Sequence, residues 1–365
     1  MAYGTINADV IGTSVANTSL GAGNASIMKN RIINGAMMIS QRNGTSSVTP
    51  ASGDYILDRF VFSASQSSKF TAQQNQNSVS TPAGFINYLG YTSSSSYSVL
   101  STDYFFTWQK IEGLNVADLG WGTANAKTVT LSFQVYSSLT GTFSGALRNS
   151  DNTRSYPYSY TVSSANTWTQ ISVTIAGDTS GTWLTTNGVG IAVLFNLGTG
   201  STYLGTAGAW AGANYVGATG SVSVVGTSGA TFYITGVQLE VGSSATGFEY
   251  VNYQTSLANC QRYFQTAASG AGVFSNTSTA QITFPFATAM RSNPTVSATN
   301  GGAFGFWFYS GSNPGFSSIS TIYGDASKSG LNITMNLNSN GAGGQGTVMY
   351  LVAGNVGTIN FSAEL

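Results

Sequence analysis

Histidine is absent from this 365-residue chain, and cysteine occurs once, at Cys260. The first absence removes Ser-His-Asp and Cys-His catalysis and every imidazole metal site. The second rules out an intrachain disulfide. A lone cysteine at helical spacing with Leu257 and Phe264 reads as a buried structural thiol rather than a nucleophile. Charge is scarce too, at 7% of residues against a usual ~25%. Twelve Lys+Arg balance 12 Asp+Glu for a formal net charge of +0, so there is no basic field to draw in nucleic acid. No apolar run approaches the ~20 residues of a membrane-spanning helix. The start, MAYGTINADV, has neither the basic nor the apolar region of a secretory signal peptide. No GxxxxGK[ST] or GxGxxG follows a strand and opens a helix, so nucleotide binding is unsupported. Asp151, Asp178 and Asp325 could offer oxygen to calcium but form no DxDxDG pattern. Neither metal nor cofactor is expected.

What remains is glycine, hydroxyl residues and rings: 45 Gly, 19 Tyr and 20 Phe in a chain that is 42% hydrophobic. That is a folded composition, not a disordered polar tract. With so little charge to keep copies apart, self-association is the expected state.

Residues 1–29 have no aromatic after Tyr3 and can bury little, so they read as an extended leader, frayed or ordered by a partner. From residue 30 to 253, short apolar stretches alternate with Gly, Asn and Ser turns. Ile32–Ile39 is an apolar run that reads as the first strand, ended by turn chemistry at Gln41-Arg42-Asn43-Gly44. Tyr55–Phe62, Phe85–Leu89, Tyr104–Ile111, Val129–Tyr136, Arg154–Val162, Thr167–Ile175, Gly188–Leu197 and Gly220–Val225 also have strand length. Thr231–Val241 closes the set with period two, interrupted at Gly236 as at a bulge. Many short strands with no long helical pattern between them predict an all-β fold, a large antiparallel jelly roll or β-sandwich. One helical patch, Ser256–Gln265, precedes further strands, which predict a smaller C-terminal β-sandwich over 254–365.

Four stretches, NRIINGAMMISQRNG (30–44), DYILDRF (54–60), ITGVQLEVGSSATGFEY (234–250) and LANCQRYF (257–264), occur in this order. Together they resemble a group of bacteriophage tail-fibre and receptor-binding proteins. VTLSFQVYSS (129–138) through GTWLTTNGVGIAVLF (181–195) is similar to carbohydrate-binding jelly-roll modules, and YGTINADVIGT (3–13) resembles virion-attachment leaders. The resemblance implies a homotrimeric, non-enzymatic virion protein that docks on other tail proteins through residues 1–29 and grips host-surface glycans. It would be made in the host cytoplasm and released by lysis, which suits a chain with neither export signal nor disulfides. Two other classes stay open: a tailspike that depolymerises polysaccharide, and a structural decoration of capsid, neck or tail.

Glycoside cleavage needs two carboxylates ~5–10 Å apart. Asp103, Glu112, Asp151 and Asp178 are available, but nothing in the sequence pairs them. Sugar binding needs ring faces for C–H stacking and amides for hydroxyls. Tyr156, Tyr158 and Tyr160 share one face of a strand, and Trp108, Trp121, Trp183 and Trp210 lie in or beside Gly-rich loops. Asn149, Asn152 and Gln109 could supply polar contacts. Trp168, inside a strand, is assigned to the core. Arg59 is expected to pair with Glu240 or Glu249, pinning the first strand to the last.

Overall fold

A computed structural model describes residues 28–276, 279–299, 304–307, 316–323, 330–337, 346–351 and 357–365. All but the last two positions of the expected leader lie outside the described residues, as does Asp325. The chain divides into two compact units between Val251 and Asn252.

In the first unit the strands run β1 (Tyr55–Leu57), β2 (Phe60–Ala64), β3 (Phe70–Gln74), β4 (Leu89–Ser93), β5 (Tyr104–Glu112), β6 (Val129–Ser137), β7 (Gly141–Arg148), β8 (Ser155–Val162), β9 (Thr169–Ile175), β10 (Val189–Thr199), β11 (Leu204–Gly205), β12 (Gly217–Ala218) and β13 (Thr231–Val241). They form a six-stranded sheet in the order β1-β2-β5-β10-β7-β8 and a five-stranded one in the order β3-β4-β13-β6-β9, with a small parallel pair, β11-β12. Pairing within both large sheets is antiparallel. One core lies between them. The six-stranded sheet contributes Phe62, Phe105, Phe143, Tyr158, Val193 and Phe195, and the five-stranded one Phe70, Leu89, Leu131, Phe133, Ile234 and Leu239. The unit is therefore an all-β sandwich.

Four stretches depart from the expected strands; in one of them, Phe85–Leu89, only Leu89 lies in a strand, as the first residue of β4. YILDRFVF is a hairpin, not one strand: Asp58-Arg59 turns between β1 and β2, with Arg59 at φ 70°. The apolar run at 32–39 folds as turns, because Asn34 (φ 61°) and Met37 (φ 58°) adopt left-handed backbone and Asn34 Nδ2 bridges the carbonyls of Ile39 and Asp58. Residues 220–225 form no strand. β7, with two glycines and no long apolar run, is a strand the sequence pattern did not show.

β13 is buried along both faces. Gly236, at φ 61°, carries a bulge between Thr235 and Gln238. The bulge switches parity: Phe232 and Ile234 face the core before it, Val237 and Leu239 after it. β4 pairs only with Thr231–Ile234. Beyond that point the opening segment takes over: Gly35 O accepts from Val237 N, Asn30 Nδ2 donates to Val237 O, and Arg31 N donates to Leu239 O.

The second unit begins with helix α1 (Tyr253–Gln261), capped by Asn252 Oδ1, which accepts from Thr255 N. Cys260 is buried on it. Then follow β14 (Phe264–Ala267), β15 (Gly270–Asn276), β16 (Thr279–Pro285), β17 (Thr295–Thr299), β18 (Phe304–Trp307), β19 (Phe316–Tyr323), β20 (Gly330–Leu337), β21 (Gly346–Leu351) and β22 (Thr358–Ser362). They make sheets β14-β22-β17 and β18-β21-β15-β16-β20-β19, sharing a core of Phe274, Ile282, Phe284, Met335, Met349 and Phe361.

Candidate functional site

Strand alternation sends Phe105 into the sandwich core and Tyr104, Phe106 and Trp108 to the outer face of the six-stranded sheet. On that face they meet Ala192 and Leu194 of β10. The 200–219 excursion, which contains β11 and β12, folds back over the same face and brings Tyr203 and Val216 against Phe106. Between excursion and sheet lies a cleft of about 310 Å³. Its apolar wall is Tyr104, Phe106, Trp108, Tyr203 and Val216; its polar groups are Ser52, Ser63, Arg148, Asn152 and Asn214. No carboxylate is among these lining residues.

The rings are packed edge-on: Tyr104 to Tyr203 at 5.8 Å and 88°, Phe106 to Trp108 at 5.5 Å and 75°. Trp108 is half-buried, and its Nε1 is buried without a hydrogen-bond partner. Lys110 Nζ lies 4.6 Å over the Trp108 ring. Arg148 closes the floor from the end of β7, with its guanidinium carbon 5.4 Å from the Trp108 ring centre and 5.9 Å from that of Phe106. Its Nη1 donates to Asn214 Oδ1 at 2.6 Å. Burial pushes the Arg148 guanidinium down to about 10 from the ordinary 12.5, leaving it cationic at neutral pH.

Of the residues singled out from sequence, the cleft brings together Trp108 and Asn152. Trp108 is in a strand, not a loop. Asn152 sits at φ 58° in the β7–β8 turn. The other candidates are elsewhere. Tyr156, Tyr158 and Tyr160 do share a face of β8, but it is the inner one, and all three are in the core. Tyr158 is 1% exposed and donates its hydroxyl to Leu194 O. Burial raises the pKa of all three phenols. Trp121, Trp183 and Trp210 pack edge-to-face on one another at 4.8–5.4 Å, and Tyr156 adds to Trp210. Their indole N–H groups are spent on the carbonyls of Lys127, Ser180 and Ala176. This trio extends the core. Asn149 is buried and braces its own turn, accepting from Thr153 N and Arg154 N while donating to Thr153 Oγ1 and Thr182 O. Gln109 holds Ile33 with both ends of its amide, Oε1 accepting from Ile33 N and Nε2 donating to Ile33 O. Trp168, expected in the core, is half-exposed on the outer face of the five-stranded sheet beside Tyr88 and Tyr136, with Nε1 donating to Ser80 O.

The expected Arg59 pairing with Glu240 or Glu249 does not form. Arg59 Nη2 donates to Lys110 O. Glu240 is bound by Gln238 Nε2, Thr246 N and Thr246 Oγ1, and Glu249 by Asn30 N. Arg59 is buried in the β1–β2 turn, where a backbone carbonyl of β5 is within reach. The glutamates instead fasten residues 29–30 and the 246–249 loop to β13, with Lys29 Nζ completing the network on Thr246 Oγ1.

The acids considered for cleavage do not pair with one another among the hydrogen bonds and ion pairs of the described residues. Asp178 takes Arg154 in a two-pronged pair, 2.7 Å on each oxygen. Asp103 is buried, which alone would raise its pKa, but hydrogen bonds from Leu100 N, Ser65 Oγ and Tyr97 OH outweigh that and hold it low. Glu112 is also buried, and Asp151 is exposed. No cluster of metal-ligating side chains exists among the described residues, and none of their helices is long and apolar enough to cross a membrane.

Sequence reasoning missed Arg148, Tyr104, Phe106, Tyr203, Asn214 and Val216. The available signal was the shared parity of Tyr104, Phe106 and Trp108 in a strand already expected. The 200–219 excursion, which completes the cleft, has no comparable signature.

No family model matches the chain, and no curated protein matches it. Solved structures overlap it in part. A tailspike protein 4 domain of bacteriophage CBA120 is 12% identical over 59% of this chain, with a TM-score of 0.32; the overlap spans only 22% of the tailspike chain. A putative sugar binding protein from Bacteroides thetaiotaomicron is 14% identical over 58% of this chain and 100% of its own, with a TM-score of 0.33. The module TmCBM61, in complex with β-1,4-galactotriose, is 11% identical over 58% of this chain and 99% of its own, with a TM-score of 0.28. Such distant overlap leaves the cleft's own residues to indicate what this chain does.

Proposed function

We propose that the chain binds a host-surface glycan without cleaving it, in the cleft beside Trp108. The observation that carries this is the composition of that cleft: a half-buried indole with an unused N–H, flanked by further rings and rimmed by amides and hydroxyls. A pyranose offers C–H groups to a ring face and hydroxyls to such a rim. The lining lacks the acid–base pair that hydrolysis needs.

In this reading the chain is the adhesin of a phage tail fibre, located in the virion. Residues 1–29 dock on another virion protein, 30–253 carry the glycan module and 254–365 form the tip. A homotrimer supplies three weak sites whose linked engagement raises avidity. Low net charge and abundant aromatics support self-association.

Incubation of purified protein with host polysaccharide tests the function. Retention without new reducing ends is expected, and Trp108→Ala abolishes it when retention is measured per folded molecule. New reducing ends mean a depolymerase. Neither retention nor cleavage means a structural protein. Light scattering that shows a stable monomer defeats the trimer.

A further inference from the structure

Two arginines flank the β7–β8 turn, and the fold treats them differently. Arg154 opens the second arm and is neutralised by the paired oxygens of Asp178. Arg148 ends the first arm, is only 5% exposed, and has no carboxylate partner among the described residues. Its one hydrogen bond goes to the neutral amide of Asn214. Its Nε is buried and unpartnered. Two ring faces, Phe106 and Trp108, stand where a counterion would. A second positive charge, Lys110 Nζ, lies over Trp108.

A buried cation without a counterion is costly and is not retained for stability. A guanidinium offers a planar fork of donors that suits a carboxylate, sulfate or phosphate group. Here that fork forms part of the wall of a cleft open to ligand, beside a ring suited to a sugar.

We infer that the glycan bound in the Trp108 cleft is anionic, and that Arg148 binds its negative group while the attached ring lies against Trp108. This rests on the glycan-binding reading above and narrows it to acidic saccharides. The shared chemistry is a planar or tetrahedral oxyanion on a sugar. A uronic or nonulosonic acid supplies a carboxylate, and a substituted neutral sugar supplies a sulfate or phosphate ester.

The test uses the full chain on an array of bacterial-surface glycans bearing uronate, nonulosonate, sulfate or phosphate groups, with neutral glycans alongside. Acidic members are expected to be retained, and which kind is retained identifies the source of the anion. The tightest carboxylated probe is then compared with its carboxyl-reduced form by calorimetry. Reduction should weaken wild-type binding about tenfold to a hundredfold, as expected for a charge-assisted hydrogen-bonded contact. Arg148→Met should lose the same factor for the acidic probe and no longer distinguish it from the reduced one. Arg148→Lys, which keeps the charge but not the fork, should recover part of the discrimination. For a sulfated or phosphorylated hit, the de-esterified probe replaces the reduced one. Two results overturn the inference and spare glycan binding: neutral glycans held as tightly as acidic ones, or Arg148→Met weakening both probes alike. Retention of no glycan at all removes the glycan-binding reading, and the inference with it.

Discussion

Replacing Arg148 by methionine separates what the cleft floor does for stability from what it does for binding. Burial brings the guanidinium from 12.5 to about 10, and at ~1.4 kcal/mol per pH unit that gap is a cost of about 3 kcal/mol for keeping the group charged in the folded protein. Two contributions offset it. The rings of Trp108 and Phe106, at 5.4 and 5.9 Å, return ~0.5–2 kcal/mol between them, and the bond to Asn214 Oδ1 returns roughly 1.5–3 kcal/mol. The balance is close to zero. Methionine keeps an unbranched stem and a thioether suited to ring contacts, with no charge to desolvate. Asn214 is half-buried, so water can take over at its oxygen. Arg148→Met should therefore leave stability within ~1 kcal/mol of wild type, with a gain as readily as a loss, while acidic-glycan affinity falls. Five of the six tryptophans belong to the first unit, so intrinsic fluorescence during urea unfolding follows that unit. A loss above ~3 kcal/mol would match the breaking of a compensated buried pair. Arg148 would then have a partner within the fold, and the reasoning that leaves it for a ligand would fail.

Trp121→Ala should cost about 3–5 kcal/mol by opening a cavity in the three-tryptophan cluster. Glycan affinity per folded molecule should not change, whereas Trp108→Ala abolishes it; scanning calorimetry and a binding titration read the two together. Arg59→Ala and Glu240→Ala should each destabilise by roughly 1–3 kcal/mol, because each strands buried partners. Their double mutant should be additive within ~0.5 kcal/mol, and a larger coupling in urea titrations would restore the pairing expected from sequence. At alkaline pH the tyrosines dominate. Burial raises Tyr88 to about 12, and Tyr91, Tyr156, Tyr158, Tyr160 and Tyr233 also lie above the ordinary 10. Above pH 10 the unfolded chain has shed protons that the folded chain keeps, so stability falls as pH rises. Arg148 acts oppositely, since its folded value lies below its unfolded one and favours the fold as pH rises from about 10 to 12.5, but it is one group against many. Tyrosinate absorbance should rise in two steps, exposed phenols first and buried ones together with loss of the near-ultraviolet dichroism. A single smooth titration near pH 10 would contradict the burial.

The fold class was legible because both sheets obey period two where it matters. β5, β6, β8, β9 and β10 fall within a residue or two of their expected bounds, and Gly236 marks the bulge that reverses parity in β13. What misled was the assumption that a chain segment with strand composition is a strand. Ile32–Ile39 is apolar enough to pair, yet the side chain of Asn34 satisfies the backbone more cheaply as a turn, through Ile39 N, Ile39 O and Asp58 O. Period two also leaves a sign undetermined. It placed Tyr156, Tyr158 and Tyr160 on one face but could not say which, and the packing of both sheets turned that face inward.

Three of the four stretches that carried the family resemblance, 30–44, 54–60 and 234–250, have a common fate in the fold. Asn30, Asn34, Gln41, Asp58, Gln238, Glu240 and Glu249 are spread over more than 200 positions, yet all serve to join the chain's opening or the 246–249 loop to the β1–β2 turn or to β13. Gln41 gives both its backbone and side-chain N–H groups to Asp58, at 2.6 Å each. Gln238 joins Glu240 to the backbone of Glu249, which in turn receives Asn30 N. None of these seven lines the cleft. Residues that close a sandwich are constrained by one geometry, since each buried polar atom must find a partner at a fixed place. Motif likeness here therefore reports the closure of the scaffold. In the reading proposed above, the ligand meets instead the outward parity of β5, the end of β7 and the 200–219 excursion, which line the cleft.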